Sequence, residues 1–298
     1  MPKFKIFGDS CSDLSTELRK QYDIEYVRMG VVVDGEEKNA DLDWIEYKPE
    51  EFYGWLKEGK KIKTTQVSVQ EFNNRFIPAL EEGYDILYIG CSSALSGSVA
   101  TCQTLVKDYL EGKYPGRKIV AIDSLNASMA EGMILIKAAQ LRAEGKSLEE
   151  VVDWVEENKL KFNFFATVDT LNYLKAAGRI KGAKAFFGNI MGVKPIFISD
   201  AHGNNFVIKK AKGTKNSIEE LIQGLKDVIE LENCKEVYVG QGMVMDRAEY
   251  IKQRLESELN VKAHIIWIGP IVGTTCGPGI LATFCFGKEV TRFEGDGK

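Results

Sequence analysis

A run of hydroxyl side chains follows a short apolar segment and could bind an anion. Residues 86–89 are typical of a buried strand, and Ser92, Ser93, Ser96 and Ser98 follow them. We expect a helix to begin near Ser96. The N–H groups and the positive dipole end of a helix N-terminus attract negative charge, and serine hydroxyls add neutral donors. Because this turn carries no charge, it would hold an anion by hydrogen bonding.

A second hydroxyl cluster consists of Thr64, Thr65 and Ser68. Ser68, with Glu71 three residues later, forms the capping-box pattern of a helix N-terminus. Capping explains Ser68 but leaves Thr64 and Thr65 without a structural role. The two threonines either belong to the cap region alone or bind a ligand, and the local sequence does not decide between these interpretations.

Residues 269–279 combine four glycines and two prolines with Thr274, Thr275 and Cys276. The segment is either a tight connection between strands, with glycine allowing unusual φ angles, or a place where backbone approaches a ligand head group. It matches neither GxGxxG nor the P-loop, which disfavours nucleotide binding. Arg179 follows Gly178 and, on local sequence alone, is a solvated surface cation.

Metal-binding and histidine-dependent chemistry have little support in the sequence. Asp9, Asp13 and Asp123 suggest either a magnesium site or loop capping, and their neighbouring serines favour capping. His202 and His264 are the only histidines, which disfavours Ser–His catalysis and histidine-ligated metals. The cysteines show no CxxC pair and no metal-ligand spacing, so we expect reduced, mostly buried thiols and no metal site. They are Cys11, Cys91, Cys102, Cys234, Cys276 and Cys285.

The elements that must position these residues alternate between strand and helix in the first half. Strands are predicted at 4–7, 24–33, 86–89 and 118–122. This alternation favours a parallel sheet with helices on both faces. The polar turns at 9–13, 92–96 and 123–124 each follow a strand directly. They should therefore meet at the carboxyl edge of the sheet, where open α/β folds bind ligands.

The second half predicts a mixed sheet with helices. Residues 193–199 and 205–210 flank a polar turn and are expected to form an antiparallel hairpin, and Met245–Leu259 has the apolar spacing of a helix. We predict two α/β domains, residues 1–158 and 159–298, with a ligand between them.

Composition excludes several classes of protein. The 298 residues are 44% hydrophobic and 28% charged, with a net charge of −4, which argues against a nucleic-acid-binding protein. No apolar run reaches the roughly 18–20 residues of a membrane span. The first residues lead directly into a predicted strand without a signal peptide, so a cytoplasmic location is expected.

Taken in order, seven segments resemble the DegV family of bacterial fatty-acid-binding proteins. The resemblance extends over nearly the whole chain. Its segments are residues 9–14, 64–68, 92–98, 123–124, 173–180, 194–196 and 269–279.

The resemblance implies a long-chain fatty acid buried between two α/β domains, with no cofactor. Its carboxylate would be held at Thr64, Thr65, Ser96, Gly97 and Thr275. A separate fatty acid kinase would phosphorylate the bound carboxylate, and the acyl phosphate would enter phospholipid synthesis. The chain itself would then be a carrier without chemistry of its own. Transient contact with a membrane surface stays open.

Arg179 matches a family arginine associated with kinase docking or phosphotransfer. Three positions depart from the family pattern: Val67 replaces a proline, Ala176 and Ala177 replace a more basic pair, and Thr275 replaces a histidine. A histidine could shuttle a proton, whereas threonine offers only a neutral hydrogen bond.

The lipid tail would contact apolar side chains that the sequence cannot distinguish from ordinary core. Candidates are Phe162, Phe164, Phe165, Ile190, Met191 and Ile266. Two alternatives remain: a lipid-responsive regulator without a kinase, and a lipid-processing enzyme that uses Ser96 and Thr64. The absence of a GxSxG elbow weighs against the enzyme.

Overall fold

The computed structural model describes residues 3–181 and 192–292, and these contain three β-sheets. The strands are β1 (Phe4–Asp9), β2 (Ile24–Val27), β3 (Gly30–Val33), β4 (Glu36–Asn39), β5 (Ile62–Thr65), β6 (Asp85–Gly90), β7 (Ile119–Asp123), β8 (Phe162–Thr167), β9 (Ile180–Lys181), β10 (Val193–Ser199), β11 (Asn205–Lys212), β12 (Glu236–Gln241), β13 (Lys262–Trp267) and β14 (Leu281–Phe286). The helices are α1 (Thr16–Tyr22), α2 (Pro49–Lys57), α3 (Val69–Glu81), α4 (Ser98–Leu105), α5 (Glu111–Lys113), α6 (Met129–Ala143), α7 (Leu148–Asn158), α8 (Asn172–Ala177), α9 (Gly213–Val228), α10 (Met245–Leu259) and α11 (Pro270–Cys276). None of the helices within these ranges is long and apolar enough to cross a bilayer.

The first sheet is fully parallel, in the order β2-β1-β6-β7. Helices α3 and α4 pack against it and against each other, and α6 and α7 form a second such pair. The predicted parallel sheet with helical cover is confirmed. The carboxyl ends of β1, β6 and β7 lie side by side, so the polar turns that follow these strands meet at one edge of the sheet.

The single strand predicted at 24–33 is wrong, because the chain divides into β2 and β3 in different sheets. At the break, the Arg28 N–H donates to Glu71 Oε1 (3.1 Å) and the Met29 N–H donates to Ser10 Oγ (3.0 Å). These side-chain acceptors replace ladder partners and redirect the strand. β3 then pairs antiparallel with β4 and β5 in a small separate sheet.

The third sheet is mixed, in the order β13-β12-β14-β8-β10-β11-β9, and it includes the predicted antiparallel hairpin β10–β11. Its first strand in the chain, β8, begins at Phe162, and α6 packs on both β1 and β8. A domain boundary at residue 158 stays a prediction.

Alternate residues of β8 and β14 face opposite sides of this sheet. Phe164 packs against Phe197 of β10 and Phe284 of β14, each with its ring centre 6.1 Å away. On the other face, Phe165 lies close against Gly224 of α9, and the Thr283 hydroxyl donates to a carbonyl of the same helix. One face of the sheet therefore carries α9, and the other borders both α6 and the cavity.

Within residues 269–279, Pro270–Cys276 form the short helix α11, so the segment is more than a tight connection between strands. Pro270 occupies the first turn, where its missing N–H costs nothing, and the Thr274 hydroxyl donates to the Pro270 carbonyl (2.7 Å). The helix ends at Gly277, which has a φ of 75°. α11 packs against α2, α8, β3 and β5, and thus links the sheets.

Candidate functional site

A cavity of about 920 Å³ lies between the sheets and is lined by both halves of the chain. Its apolar lining includes Met29 and Leu56 from the first half and Phe164, Phe197, Ile271 and Phe284 from the second. This volume lies in the range of about 300–1,000 Å³ that is usual for small-molecule sites.

The five residues predicted to hold a carboxylate and the one predicted for kinase docking or transfer, Arg179, all line this cavity. They are Thr64, Thr65, Ser96, Gly97, Arg179 and Thr275. The fold therefore brings together positions that lie more than two hundred residues apart in the chain. Their roles toward a ligand stay predictions.

The serine turn (residues 92–98) contains four serines that make different contacts. Ser92 and Ser98 are fully buried, and Ser98 Oγ accepts the Val67 N–H (3.1 Å). Ser93 is exposed and donates its N–H to the Asp123 carboxylate (3.2 Å). Ser96 lines the cavity, and its hydroxyl lies 2.9 Å from that of Ser98. Of the four serines, Ser96 is therefore the one placed to meet a ligand.

The end of β5 meets the beginning of α4 through Gln66, which sequence analysis missed. Gln66 Nε2 donates to Thr101 Oγ1 (2.7 Å), and a Cβ at Gly97 would collide with Gln66 Oε1. The Thr64 and Thr65 hydroxyls make no hydrogen bond to any described residue, so both can serve a ligand. The position of Gln66 directly after two unassigned threonines was the available signal.

Thr275 enters the cavity from α11, which packs against β5. Its hydroxyl donates to the Ile271 carbonyl at a long 3.4 Å. To donate to an anion, this hydroxyl must turn away from the helix carbonyl. A hydrogen bond from Thr275 to an anion would therefore be weaker than one from Thr64 or Thr65, whose hydroxyls have no partner to give up among the described residues.

The cavity rim is basic. Arg179 is exposed and makes hydrogen bonds to the carbonyls of Leu95 (3.5 Å) and Ala177 (2.8 Å), and it has no carboxylate partner among residues 3–181 and 192–292. These bonds place its guanidinium beside the serine turn. Three lysines also line the cavity: Lys60, Lys61 and Lys63.

The aspartates at the strand ends hold loops, as the capping interpretation predicts. Asp9 accepts N–H groups from Cys11 (2.8 Å) and Cys91 (3.0 Å). Asp13 accepts the Gly269 N–H (2.8 Å) and so ties β1 to the segment before α11. Burial raises the pKa of Asp9 and raises that of Asp13 to about 7, although these hydrogen bonds act in the opposite direction.

Among the candidates for tail contacts that lie within the described residues, only Phe164 is placed at the cavity. Phe164 lines the cavity, whereas Phe165 faces α9, and Phe162 and Ile266 are buried without lining it. Alternate residues of β8 face opposite sides of the sheet, which separates Phe164 from Phe165. The sequence could not show which residue faces which side, because the strand is buried along its whole length. Two further candidates lie outside the described residues: Ile190 and Met191.

Comparisons with known proteins agree with this architecture. A model of the family described as "Uncharacterised protein, DegV family" matches residues 3–288. A DegV domain-containing protein of Clostridium perfringens is 35% identical, over 96% of this chain and 98% of the relative. A DegV family protein from Thermus thermophilus, described by its fatty acid binding, is 28% identical with a TM-score of 0.84, covering 96% of this chain and 100% of the other. A DegV lipid-binding protein from Thermotoga maritima is 26% identical with a TM-score of 0.82, covering 97% and 100%.

Proposed function

The chain belongs to the DegV family, and we propose that it binds a long-chain fatty acid and presents the carboxylate to a separate fatty acid kinase. The observation that carries the proposal is one cavity with phenylalanines along its sheet wall and, at β5, two threonine hydroxyls that bond to no described residue. Relatives from Thermus thermophilus and Thermotoga maritima are described as fatty-acid-binding and lipid-binding proteins, which supports the same class of ligand.

The apolar lining supplies the affinity. Burial of a methylene group contributes about 0.8 kcal/mol, so fourteen of them contribute about 11 kcal/mol before the costs of association. Losses of translational freedom and of chain flexibility offset a large part of this gain. A fatty acid of about sixteen to eighteen carbons would still bind tightly.

The hydroxyls would orient the ligand. A buried carboxylate without partners costs several kcal/mol, and hydrogen bonds to a charged acceptor recover that cost. The Thr64 and Thr65 hydroxyls donate to no residue in the described part of the chain, Ser96 and the Gly97 end of α4 add a helix N-terminus, and Thr275 adds a weaker donor. Neutral donors leave the carboxylate oxygens reactive toward a phosphoryl group.

The kinase step uses the exposed side of this cluster. One carboxylate oxygen would attack the terminal phosphorus of a nucleoside triphosphate held by the kinase, which forms the acyl phosphate and releases the diphosphate. Thr64, Gly97 and Arg179 are all exposed, so a kinase could reach the head group from solvent. Arg179 would bind the kinase or the transferred phosphoryl group, because it has no carboxylate partner among the described residues.

Lipid binding is tested on purified and on delipidated protein. Native mass spectrometry of the purified chain should show a long-chain acid, and the delipidated chain should bind that acid more tightly than the alcohol of equal length. A chain that copurifies with no lipid and binds neither compound would contradict the proposal. Turnover of the acid without another protein would instead favour the lipid-processing enzyme.

Presentation to the kinase is tested with Arg179→Ala. We expect unchanged affinity for the acid and reduced formation of acyl phosphate when a fatty acid kinase and a nucleoside triphosphate are added. The matched control is Lys215→Ala, which removes an exposed cation on α9 away from the cavity. Full acyl phosphate formation by the Arg179 variant would remove this role from Arg179. Bound lipid that no kinase phosphorylates would favour the regulator.

A further inference from the structure

We propose that Cys11, Cys91 and Glu131 form a binding site for a thiophilic divalent cation such as Zn²⁺. Their sulfur and carboxylate oxygen atoms all lie within 4.8 Å of one another, and all three residues are buried. Among the described residues, this is the one group of three candidate ligands found together. Because the cysteines lie eighty positions apart, sequence spacing could not reveal it.

The ligands come from three elements that meet at the carboxyl edge of the parallel sheet. Cys11 follows β1, Cys91 follows β6, and Glu131 lies in the first turn of α6. Asp9 accepts the backbone N–H of both cysteines, at 2.8 and 3.0 Å. One carboxylate therefore holds the backbones of the two cysteines close together.

Glu131 provides an independent indication of a missing partner. Its side chain is fully buried, and neither carboxylate oxygen makes a hydrogen bond of normal geometry to a described residue, although the Asp9 backbone lies close to it. Buried polar groups are normally paired, and an unpaired one costs free energy. A cation between the two thiolates and this carboxylate would give both oxygens a partner.

The donor set favours a particular class of ion. Thiolate sulfur selects soft or borderline cations, whereas Mg²⁺ and Ca²⁺ prefer oxygen ligands. Zinc binds sulfur at about 2.3 Å and carboxylate oxygen at about 2.0–2.2 Å, so tetrahedral ligands stand about 3.5–3.8 Å apart. Small side-chain rotations would bring atoms that lie within 4.8 Å to this spacing.

The cation would be reached from the cavity. Both Cys11 and Cys91 line it, whereas Glu131 lies behind them. Three protein ligands leave a fourth position for water or another donor. The site does not depend on the proposed lipid, and its test can be carried out on lipid-free protein.

The test is a titration of the reduced, chelator-treated full chain with Zn²⁺ and with Co²⁺. We expect one equivalent of ion by elemental analysis, sulfur-to-cobalt charge-transfer absorption, and a higher unfolding temperature with Zn²⁺. Cys91→Ser should weaken binding at least about 100-fold and Glu131→Gln about 10–100-fold. Cys102→Ser is the matched control, because Cys102 is also fully buried but lies on α4, outside the cluster and the cavity lining.

Glu131→Gln keeps the shape of the side chain, so it remains informative if Cys91→Ser fails to fold. Binding by the Cys102→Ser protein equal to that of the native chain supports the site. The absence of stoichiometric binding, equal binding by the Glu131→Gln protein, or a Cys11–Cys91 disulfide in place of a bound ion would each overturn it.

Discussion

Replacement of Thr64 by valine isolates the contribution of one hydroxyl to ligand binding. Thr64 pairs with Val31 in the β3–β5 ladder, and valine keeps the branched shape that suits a strand. The Thr64 hydroxyl has no hydrogen-bond partner among the described residues, so its loss leaves no protein group unpaired. The whole effect of Thr64→Val should therefore appear in ligand affinity, with little change in unfolding temperature.

The size of the effect follows from the exposure of the site. A hydrogen bond to a charged group contributes about 1.5–3 kcal/mol. Thr64 is exposed, so water can partly replace its hydroxyl against the carboxylate. We therefore expect a loss of about 1–2 kcal/mol, which is about 5–30-fold in Kd.

The assay is calorimetric titration of delipidated protein with a long-chain acid. Thr104→Val is the control, because Thr104 is an exposed threonine of α4 that does not line the cavity. Ser96→Ala is less clean, because Ser96 Oγ also accepts the Ser98 N–H (3.3 Å). The Thr64 variant should lose less affinity for the alcohol of the same length than for the acid.

An unchanged Kd for the acid in the Thr64→Val protein would refute the reasoning. So would an equal loss of affinity for acid and alcohol, because the hydroxyl would then not be acting on the carboxylate. Either result would move the head group to another part of the cavity.

Three further changes test the tail wall, the head-group end and the core. Ala282→Phe should lower affinity for an eighteen-carbon acid more than for a twelve-carbon acid, measured by titration, because Ala282 lines the cavity. Gly97→Ala should displace the Gln66 amide and weaken acid binding, whereas Gly54→Ala, whose Cβ meets open space, should not. Burial raises the pKa of Glu71, but its hydrogen bonds with Arg28 lower it more, so its net shift is downward. This stabilisation is present above the unfolded pKa and is lost as pH falls through the folded value. Glu71→Gln should therefore lower the free energy of unfolding by about 1–3 kcal/mol at pH 7, and denaturant titrations below pH 4 should show a smaller difference.

The spacing of apolar and polar residues predicted most of the helices and strands, because that spacing reflects which side of each element is buried. Met245–Leu259 was predicted with the bounds of α10, since its apolar residues repeat with the helical period. The break at Arg28 was missed because it depends on Glu71 and Ser10, which are distant in sequence. Hydrogen bonds of this kind exist only once the tertiary structure has formed.

The sequence indicated the polar residues at the cavity but not the apolar ones, and the reason is similar. Polar residues such as Thr64 and Arg179 stand out where no local structural role explains them, and the fold places both at the cavity. Apolar residues do not stand out, so the sequence did not single out Phe197 and Phe284, which line the cavity, or separate them from Phe165, which faces α9. Which face of a fully buried strand meets a cavity depends on the neighbouring layers.

The alternation along β8 and β14 separates the residues that set the volume of the cavity from those that hold α9. Ala166 and Ala282 are paired neighbours on the cavity face, whereas Phe165 and Thr283 hold α9 on the other. Exchange between small and large residues at the alanine positions changes the volume of the cavity without touching the contacts with α9. Substitutions at alternate positions of these two strands can therefore change which ligands fit, while the side chains that hold α9 in place are kept.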